Sequence, residues 1–201
     1  MARTTSFGQR PSSFLDDIIT WLRLRRVLRA MPATARTVAD FGCGFEGRTL
    51  RYLHKRGRIS FGHGFDFSVT ASVDVPAAIQ LRQVAPAPAS VPLDNASVEC
   101  VLSLAVLEHV EDPEHYISEI RCVLVPGGTL ILTTPTPRAK PILEFLAFRL
   151  HLIDETEIAD HKHYFTAAEL SDLLTRAGFV LDQGSIRTFQ FGCNRIVVCH
   201  T

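Results

Sequence analysis

The chain reads as a doubly wound α/β domain, a mostly parallel seven-stranded sheet with helices on both faces. Three observations carry that expectation. Short runs rich in apolar and β-branched residues alternate with helical patterns, the signature of βαβ units. The run VECVLSLAVL (98–107) is almost unbroken in apolar residues, as a strand buried on both faces must be. A glycine-rich loop, GCGFEG (42–47), stands between the first strand and the following helix, where a tight turn has to bring the backbone close to a ligand.

The elements follow in order. SSFLDDIITWLRLRRVLRAM (12–31) is a helical pattern with Ser12 or Ser13 as its cap and Asp16 and Asp17 near its positive end. Leu15, Ile18, Ile19, Leu22 and Leu28 form one apolar stripe, and Arg23, Arg25, Arg26 and Arg29 gather toward its C-terminal end. Residues 1–35 are therefore expected as a helical extension packing on a single domain, 36–201. Strands are expected at TVADF (37–41), ISFGHGFDF (59–67) and AIQLRQV (78–84), with a helix from Arg48 to Lys55 stopped by Gly57. The fourth strand is VECVLSLAVL. A helix at HYISEIRCVL (115–124) halts at Pro126-Gly127-Gly128, and TLILTT (129–134) is the fifth strand. PILEFLAFRLHLI (141–153) reads as an apolar helix and TAAELSDLLTRAGF (166–179) as a capped helix ended by Gly178. VLDQGSI (180–186) and CNRIVVCH (193–200) complete the seven strands.

Composition narrows the function classes. The 201 residues suit one domain, and 46% apolar against 21% charged excludes wholesale disorder. Basic and acidic residues balance at 21 each, which argues against a binder of the nucleic-acid backbone. Cys43, Cys100, Cys122, Cys193 and Cys199 are odd in number and show no C-x-x-C spacing, so neither a disulfide framework nor a zinc site is suggested. The N-terminal residues lack a signal-peptide core, and no uncharged apolar run approaches the roughly 20 residues of a membrane span. A reduced, cytoplasmic protein without nucleic acid or a transmembrane segment is expected.

Ligands of such sheets bind outside the C-terminal ends of the strands. Gly42 permits the tight turn, Gly44 lets the backbone approach a ligand, and Gly47 allows close helix packing. Asp66 ends the second strand 24 residues after Gly42, where a carboxylate can accept both hydrogen bonds of a ribose diol. Two cofactors fit this pattern. The three glycines match the dinucleotide fingerprint, which brings in NAD. Asp40, two residues before Gly42, would be repelled by a pyrophosphate but attracted by a sulfonium and an α-amino group. No Tyr-x-x-x-Lys pair is available for hydride chemistry, since Tyr52 is followed by Lys55. The charge pattern prefers S-adenosylmethionine.

VADFGCGFEG resembles the first motif of the class I S-adenosylmethionine-dependent methyltransferases, and GHGFDFS is similar to their second. VPLDNASVECVLSLAVLEHVEDP resembles their fourth-strand segment, EIRCVLVPGGTLILTTP the helix and fifth strand, and HYFTAAELSDLLTRAGF the segment leading back to the sheet. The resemblance runs in register from about residue 20 to residue 180. It implies a Rossmann-like methyltransferase sheet with S-adenosylmethionine as cofactor. On this resemblance Asp40, Gly42, Cys43 and Gly44 hold the methionine part, Asp66 the ribose, and Phe67 lies beside the adenine. Ser103 and Leu104 match positions at the sulfonium end. The sequence departs from the family in three places. No Asp or Glu occurs from Val75 to Leu93, so Gln83 or a carbonyl near Val84 and Ala85 has to meet the adenine amino group. Glu99 stands where Asp is usual. Between Asp66 and Ile79 there are too few residues for a full crossover helix.

Methyl transfer is an in-line displacement, so the protein mainly aligns the partners and excludes water. A hydroxyl acceptor also needs a base. His109, directly after the fourth strand, and His163 are the expected catalytic residues, with Glu108, His161 and Tyr164 toward the substrate. In related O-methyltransferases the loop holding residues 160–164 helps close over the acceptor. His161 and His163 can ligate a metal with Glu108, but without a third firm ligand no metal is expected. PILEFLAFRLHLI is either a helix packed on the sheet or a lid for a hydrophobic or lipid-linked acceptor. The arginine-rich helix is either a solvated face or a peripheral contact with anionic membrane. The expectation is a methyltransferase acting on a small molecule, through oxygen. A non-catalytic binding or scaffold protein of the same fold and a small NAD-binding oxidoreductase remain as alternatives. Neither the acceptor nor the oligomeric state is legible.

Overall fold

A computed structural model describes residues 14–70, 75–85, 91–150, 152–153 and 155–201, with only the backbone described for 14–17 and 157. The chain runs α1 (Phe14–Ala30), β1 (Thr37–Phe41), α2 (Arg48–Lys55), β2 (Phe61–Asp66), β3 (Ile79–Gln83) and β4 (Val98–Leu104). After a 3₁₀ turn (Leu107–His109) come α3 (Pro113–Val123), β5 (Leu124–Pro135), α4 (Ala139–Phe148), α5 (Glu155–Ala159), α6 (Ala167–Arg176), β6 (Ile186–Phe189) and β7 (Asn194–His200). The strands form one seven-stranded sheet in the order β3-β2-β1-β4-β5-β7-β6. The first five strands pair in parallel, and β7 runs antiparallel to both β5 and β6.

Strand residues alternate between two cores because successive side chains leave opposite faces of the sheet. Ala39, Phe41, Val101, Leu130 and Leu132 pack with Ile117 and Ile120 of α3 and Leu170 and Leu174 of α6. Val38, Cys100, Leu102 and Ile131 face the other way, against Val27 of α1 and Leu50 and Leu53 of α2. Each face is thus sealed by helices. That is why the central strands carry so few polar residues.

Several boundaries differ from the sequence expectation. β4 stops at Leu104 because Ala105 takes a positive φ of 60°, which a strand cannot continue through. α3 starts at Pro113, capped by the Asp112 carboxylate, which accepts from the His115 N–H at 3.0 Å. It ends at Val123, and the expected halt at Pro126–Gly128 lies inside β5. There the β4–β5 register jumps from Val98↔Leu124 to Cys100↔Thr129, a bulge that takes up the glycines. VLDQGSI is not a strand. Val180 makes one isolated bridge to His200, Asp182 and Ser185 close a turn with Gly184 at φ 84°, and β6 begins only at Ile186.

The two helices read in alternative ways also differ. α1 buries Val27 and leaves Ile18 and Trp21 exposed; the expected caps Ser12 and Ser13 lie outside the described residues. α4 buries only Ala139 and Ala147 and exposes Ile142, Phe145 and Phe148, so it is not packed face-on against the sheet. Among the described residues no helix is long and apolar enough to cross a membrane.

Candidate functional site

The strand order reverses between β1 and β4, the point at which sheets of this kind open a crevice. Two loops meet there. The loop after β1 folds back over the end of β2, with the N–H groups of Gly42 and Cys43 donating to the Phe65 carbonyl at 2.7 and 3.1 Å. Gly42 has φ 79°, and a Cβ on it would lie 2.3 Å from Val106 Cγ2. Glycine is therefore required on conformational and steric grounds together. The Gly44 N–H donates to Asp66 Oδ2 at 2.9 Å and the Ser68 N–H to Asp66 Oδ1 at 3.3 Å. The glycine loop and the Asp66 carboxylate thus form one hydrogen-bonded unit.

A cavity of about 530 Å³ opens along this seam. Asp40, Gly42, Cys43, Asp66 and Phe67 line it on the β1–β2 side, and Leu104, Val106, His109 and Asp160 on the β4 side. Asp40 is 1% exposed, and neither of its carboxylate oxygens has a hydrogen-bond partner among the described residues. Burial first, and the neighbouring Asp66 second, push its carboxyl up to about 7. Burial likewise raises the Cys43 thiol, with Asp40 and Asp66 adding to the effect.

The remaining residues expected around a cofactor divide. Leu104 borders the cavity. Ser103 is fully buried and shares a 2.8 Å hydrogen bond with the Tyr116 hydroxyl, tying β4 to α3. Val84 and Ala85 line the cavity, and the Val84 N–H donates to the Asp66 carbonyl at 2.9 Å; the Gln83 side chain is exposed. Glu99 accepts from the Arg36 and Thr37 N–H groups, the latter at 2.8 Å, and those bonds hold its carboxyl below the usual range. It fastens the entry to β1 and stands apart from the cavity. The shortened crossover between Asp66 and Ile79 lies partly outside the described residues.

On the other side, β4 leaves through Ala105, whose N–H donates to the Thr133 carbonyl at 2.9 Å. The 3₁₀ turn then presents Glu108 and His109. The loop after α5 is clamped onto this turn, because the N–H groups of Lys162 and His163 both donate to the Glu108 carbonyl, at 2.7 and 3.2 Å. The clamp sets His109 Nδ1 3.2 Å from Asp160 Oδ2. His109 Nε2 is closed to solvent and has no partner among the described residues. The His161 ring stands 4.8 Å from that of His109, and its Nδ1 is 2.8 Å from the Tyr164 hydroxyl. Glu108 is 1% exposed and accepts from Thr134 Oγ1 at 3.1 Å. Burial pushes its carboxyl up, while His109 and Arg23 pull the other way.

The fold therefore gathers Glu108, His109, His161 and Tyr164. Of the residues expected to act on or meet the acceptor, only His109 is among those lining the cavity, and Glu108, His161, His163 and Tyr164 are not; the His163 ring packs on Phe165 with centroids 5.3 Å apart. The acid–imidazole cluster that forms is Glu108, His109 and His161, with His109 in the place expected for His163. Residues not anticipated as part of the site are Asp160, Arg23 and Leu24 of α1, and Arg48 and Tyr52 of α2, all on the cavity wall. Asp160 carried a signal, an acid directly before His161 in the expected acceptor loop. For α1 there was none, since an apolar stripe tells which face is buried but not what the helix covers.

Against known proteins, residues 16–183 match a family model described as a methyltransferase domain. A Mycolicibacterium smegmatis protein named "probable S-adenosylmethionine-dependent methyltransferase" is 29% identical over 185 residues, covering 87% of this chain and 65% of the relative. The chain thus spans just under two thirds of that relative's length. A ubiquinone biosynthesis O-methyltransferase of Marinobacter nauticus is 26% identical over 172 residues, 78% of this chain and 69% of the relative. Among solved structures, an S-adenosylmethionine-dependent methyltransferase from Mesorhizobium loti superposes with a TM-score of 0.67 at 19% identity, covering 90% of this chain and 97% of that one. That likeness concerns the fold.

Proposed function

Since this chain belongs to the class I S-adenosylmethionine-dependent methyltransferases, we propose that it moves a methyl group from S-adenosylmethionine to a hydroxyl oxygen of a small, largely apolar acceptor. The observation that carries this reading is Asp40. A buried carboxylate with no donor is expensive to keep, and it calls for a cationic partner in the adjoining cavity. The α-amino group and sulfonium of S-adenosylmethionine are such a partner, whereas a pyrophosphate is not. The residues present fit the cofactor. Asp40 with the Gly42–Gly44 backbone would hold its methionine end, Asp66 its ribose, and Phe67, Val84 and Ala85 its base.

When bound, the cofactor supplies an electrophilic methyl carbon. The chain's own work is to align an acceptor oxygen with that carbon, exclude water and draw off the acceptor's proton. Leu24, Leu104, Val106 and Val110 give parts of the cavity wall an apolar character, which suits an acceptor with a hydrocarbon body. The acceptor's proton leaves at the corner where His109 meets Asp160. The O-methyltransferase named among the relatives supports oxygen as the acceptor atom.

Calorimetric titration tests the cofactor assignment. S-adenosylhomocysteine should bind at micromolar concentration while NAD⁺ does not; binding of NAD⁺ alone, or of neither, overturns it. A protein that passes is then offered hydroxylated and amino acceptors of matched size with labelled methyl donor. Transfer to the amines alone overturns the oxygen assignment.

A further inference from the structure

We propose that Glu108, His109 and His161 form a binding site for one divalent transition-metal ion, which meets the cavity through His109. One potential ligand atom from each residue lies within 4.8 Å of the other two. Around a tetrahedral ion with bonds of about 2.0–2.1 Å, donor atoms sit roughly 3.3 Å apart. The widest separation thus closes by roughly 1.5 Å through small rotations of the side chains.

The surroundings of the rings distinguish this cluster from a chance meeting of polar groups. Each histidine has its Nδ1 engaged by an oxygen, that of His109 by the Asp160 carboxylate at 3.2 Å and that of His161 by the Tyr164 hydroxyl at 2.8 Å. Metal-bound imidazoles are held in this way, one nitrogen steadied by an outer oxygen and the other turned to the ion. His109 Nε2 is buried and unpartnered among the described residues, a state that burial penalises unless something binds there. The third ligand, Glu108, is a buried carboxylate whose own backbone carbonyl anchors the His161 loop through the Lys162 and His163 N–H groups. The three residues are thus held together by main-chain bonds that do not depend on an ion. Two imidazoles and one carboxylate select zinc, iron, cobalt or nickel over magnesium or calcium.

The role of the ion, though not its binding, rests on the methyltransferase reading. His109 also borders the cavity, so an open coordination position can hold an acceptor oxygen and lower the pKa of its hydroxyl. His109 is then a ligand steadied by Asp160.

The test uses tag-free protein stripped with a chelator and titrated with Co²⁺, read by visible absorption, and with Zn²⁺, read by calorimetry. One equivalent should bind. His161→Ala and Glu108→Gln should each weaken binding at least about 100-fold, and Asp160→Asn by about 10–100-fold, the usual range for an outer-sphere partner. His115→Ala, on exposed α3 surface, should leave binding unchanged. S-adenosylhomocysteine binding by every variant serves as the check on folding. Absence of stoichiometric Co²⁺ binding, or a Co²⁺ spectrum unaltered in His161→Ala, overturns the metal site. Either result leaves the methyltransferase reading standing, since cofactor titration tests that separately.

Discussion

The two sides of the cavity are built by different means. On the β1–β2 side the working groups come from two neighbouring strand ends, and the bond that joins them, Gly44 N–H to Asp66, spans 22 residues. Its parts are main-chain amides, obligatory glycines and two carboxylates. On the β4 side, His109 and Asp160 are 51 residues apart and meet only because the loop after α5 is clamped to the Glu108 carbonyl. One side is a product of local backbone geometry, the other of a long-range closure. The contrast suggests a division of labour, with the first binding the cofactor and the second acting on whatever receives the methyl group.

That division can be broken or sharpened experimentally. The largest effect is expected from His109→Ala. Turnover should fall by about 10²–10⁴-fold in steady-state assays, while S-adenosylhomocysteine affinity holds within about twofold, as for independent sites. A matching loss of cofactor affinity would show that the two sides are one unit. Asp66→Ala should do the reverse and weaken S-adenosylhomocysteine by about 10²-fold by calorimetry, since hydrogen bonds to a charged group contribute roughly 1.5–3 kcal/mol each. Unchanged affinity would remove Asp66 from the cofactor side.

The smallest effect is a pH dependence confined to Asp40. Its carboxyl titrates near 7 instead of 3.8, so in the ligand-free protein it is mostly protonated below that value. The α-ammonium group of the ligand needs it ionised. S-adenosylhomocysteine affinity should therefore drop by about tenfold between pH 8 and pH 6, and Asp40→Asn should abolish that dependence. The stability of the ligand-free protein runs the opposite way. Between about pH 4 and pH 7 the unfolded chain has released this proton and the folded chain has kept it, so the contribution of Asp40 to stability declines as pH rises through that window. Denaturant titrations of wild type against Asp40→Asn across these values check the sign.

The same contrast explains what was legible beforehand. Gly42, Gly44 and Asp66 stand out in the sequence because a tight turn and a carboxylate at the next strand end demand those residue types at that spacing. The first five strands and β7 follow from apolar patterning and from the long apolar run of β4, and the mostly parallel arrangement follows from strands alternating with helices. The turn at Asp182–Ser185 reads as strand because apolar residues flank it, although Asp182 and Gly184 carry the turn chemistry. Partnerships made across the fold were not legible. Nothing local says that His161 and not His163 stands against His109, or that Ser103 bonds Tyr116. Each depends on how a loop closes over the sheet, and a single sequence records no such distance.

Cys43 offers a way to watch the glycine loop move. Its thiol is buried and its pKa raised, so at neutral pH it holds almost no thiolate and should resist alkylation. Cys122 lies on the surface and reacts as an internal standard. Any slow labelling of Cys43 then measures how often the loop opens. Saturating S-adenosylhomocysteine should suppress that labelling while Cys122 continues at its own pace, which makes one inert side chain a clock for the breathing of the cofactor side.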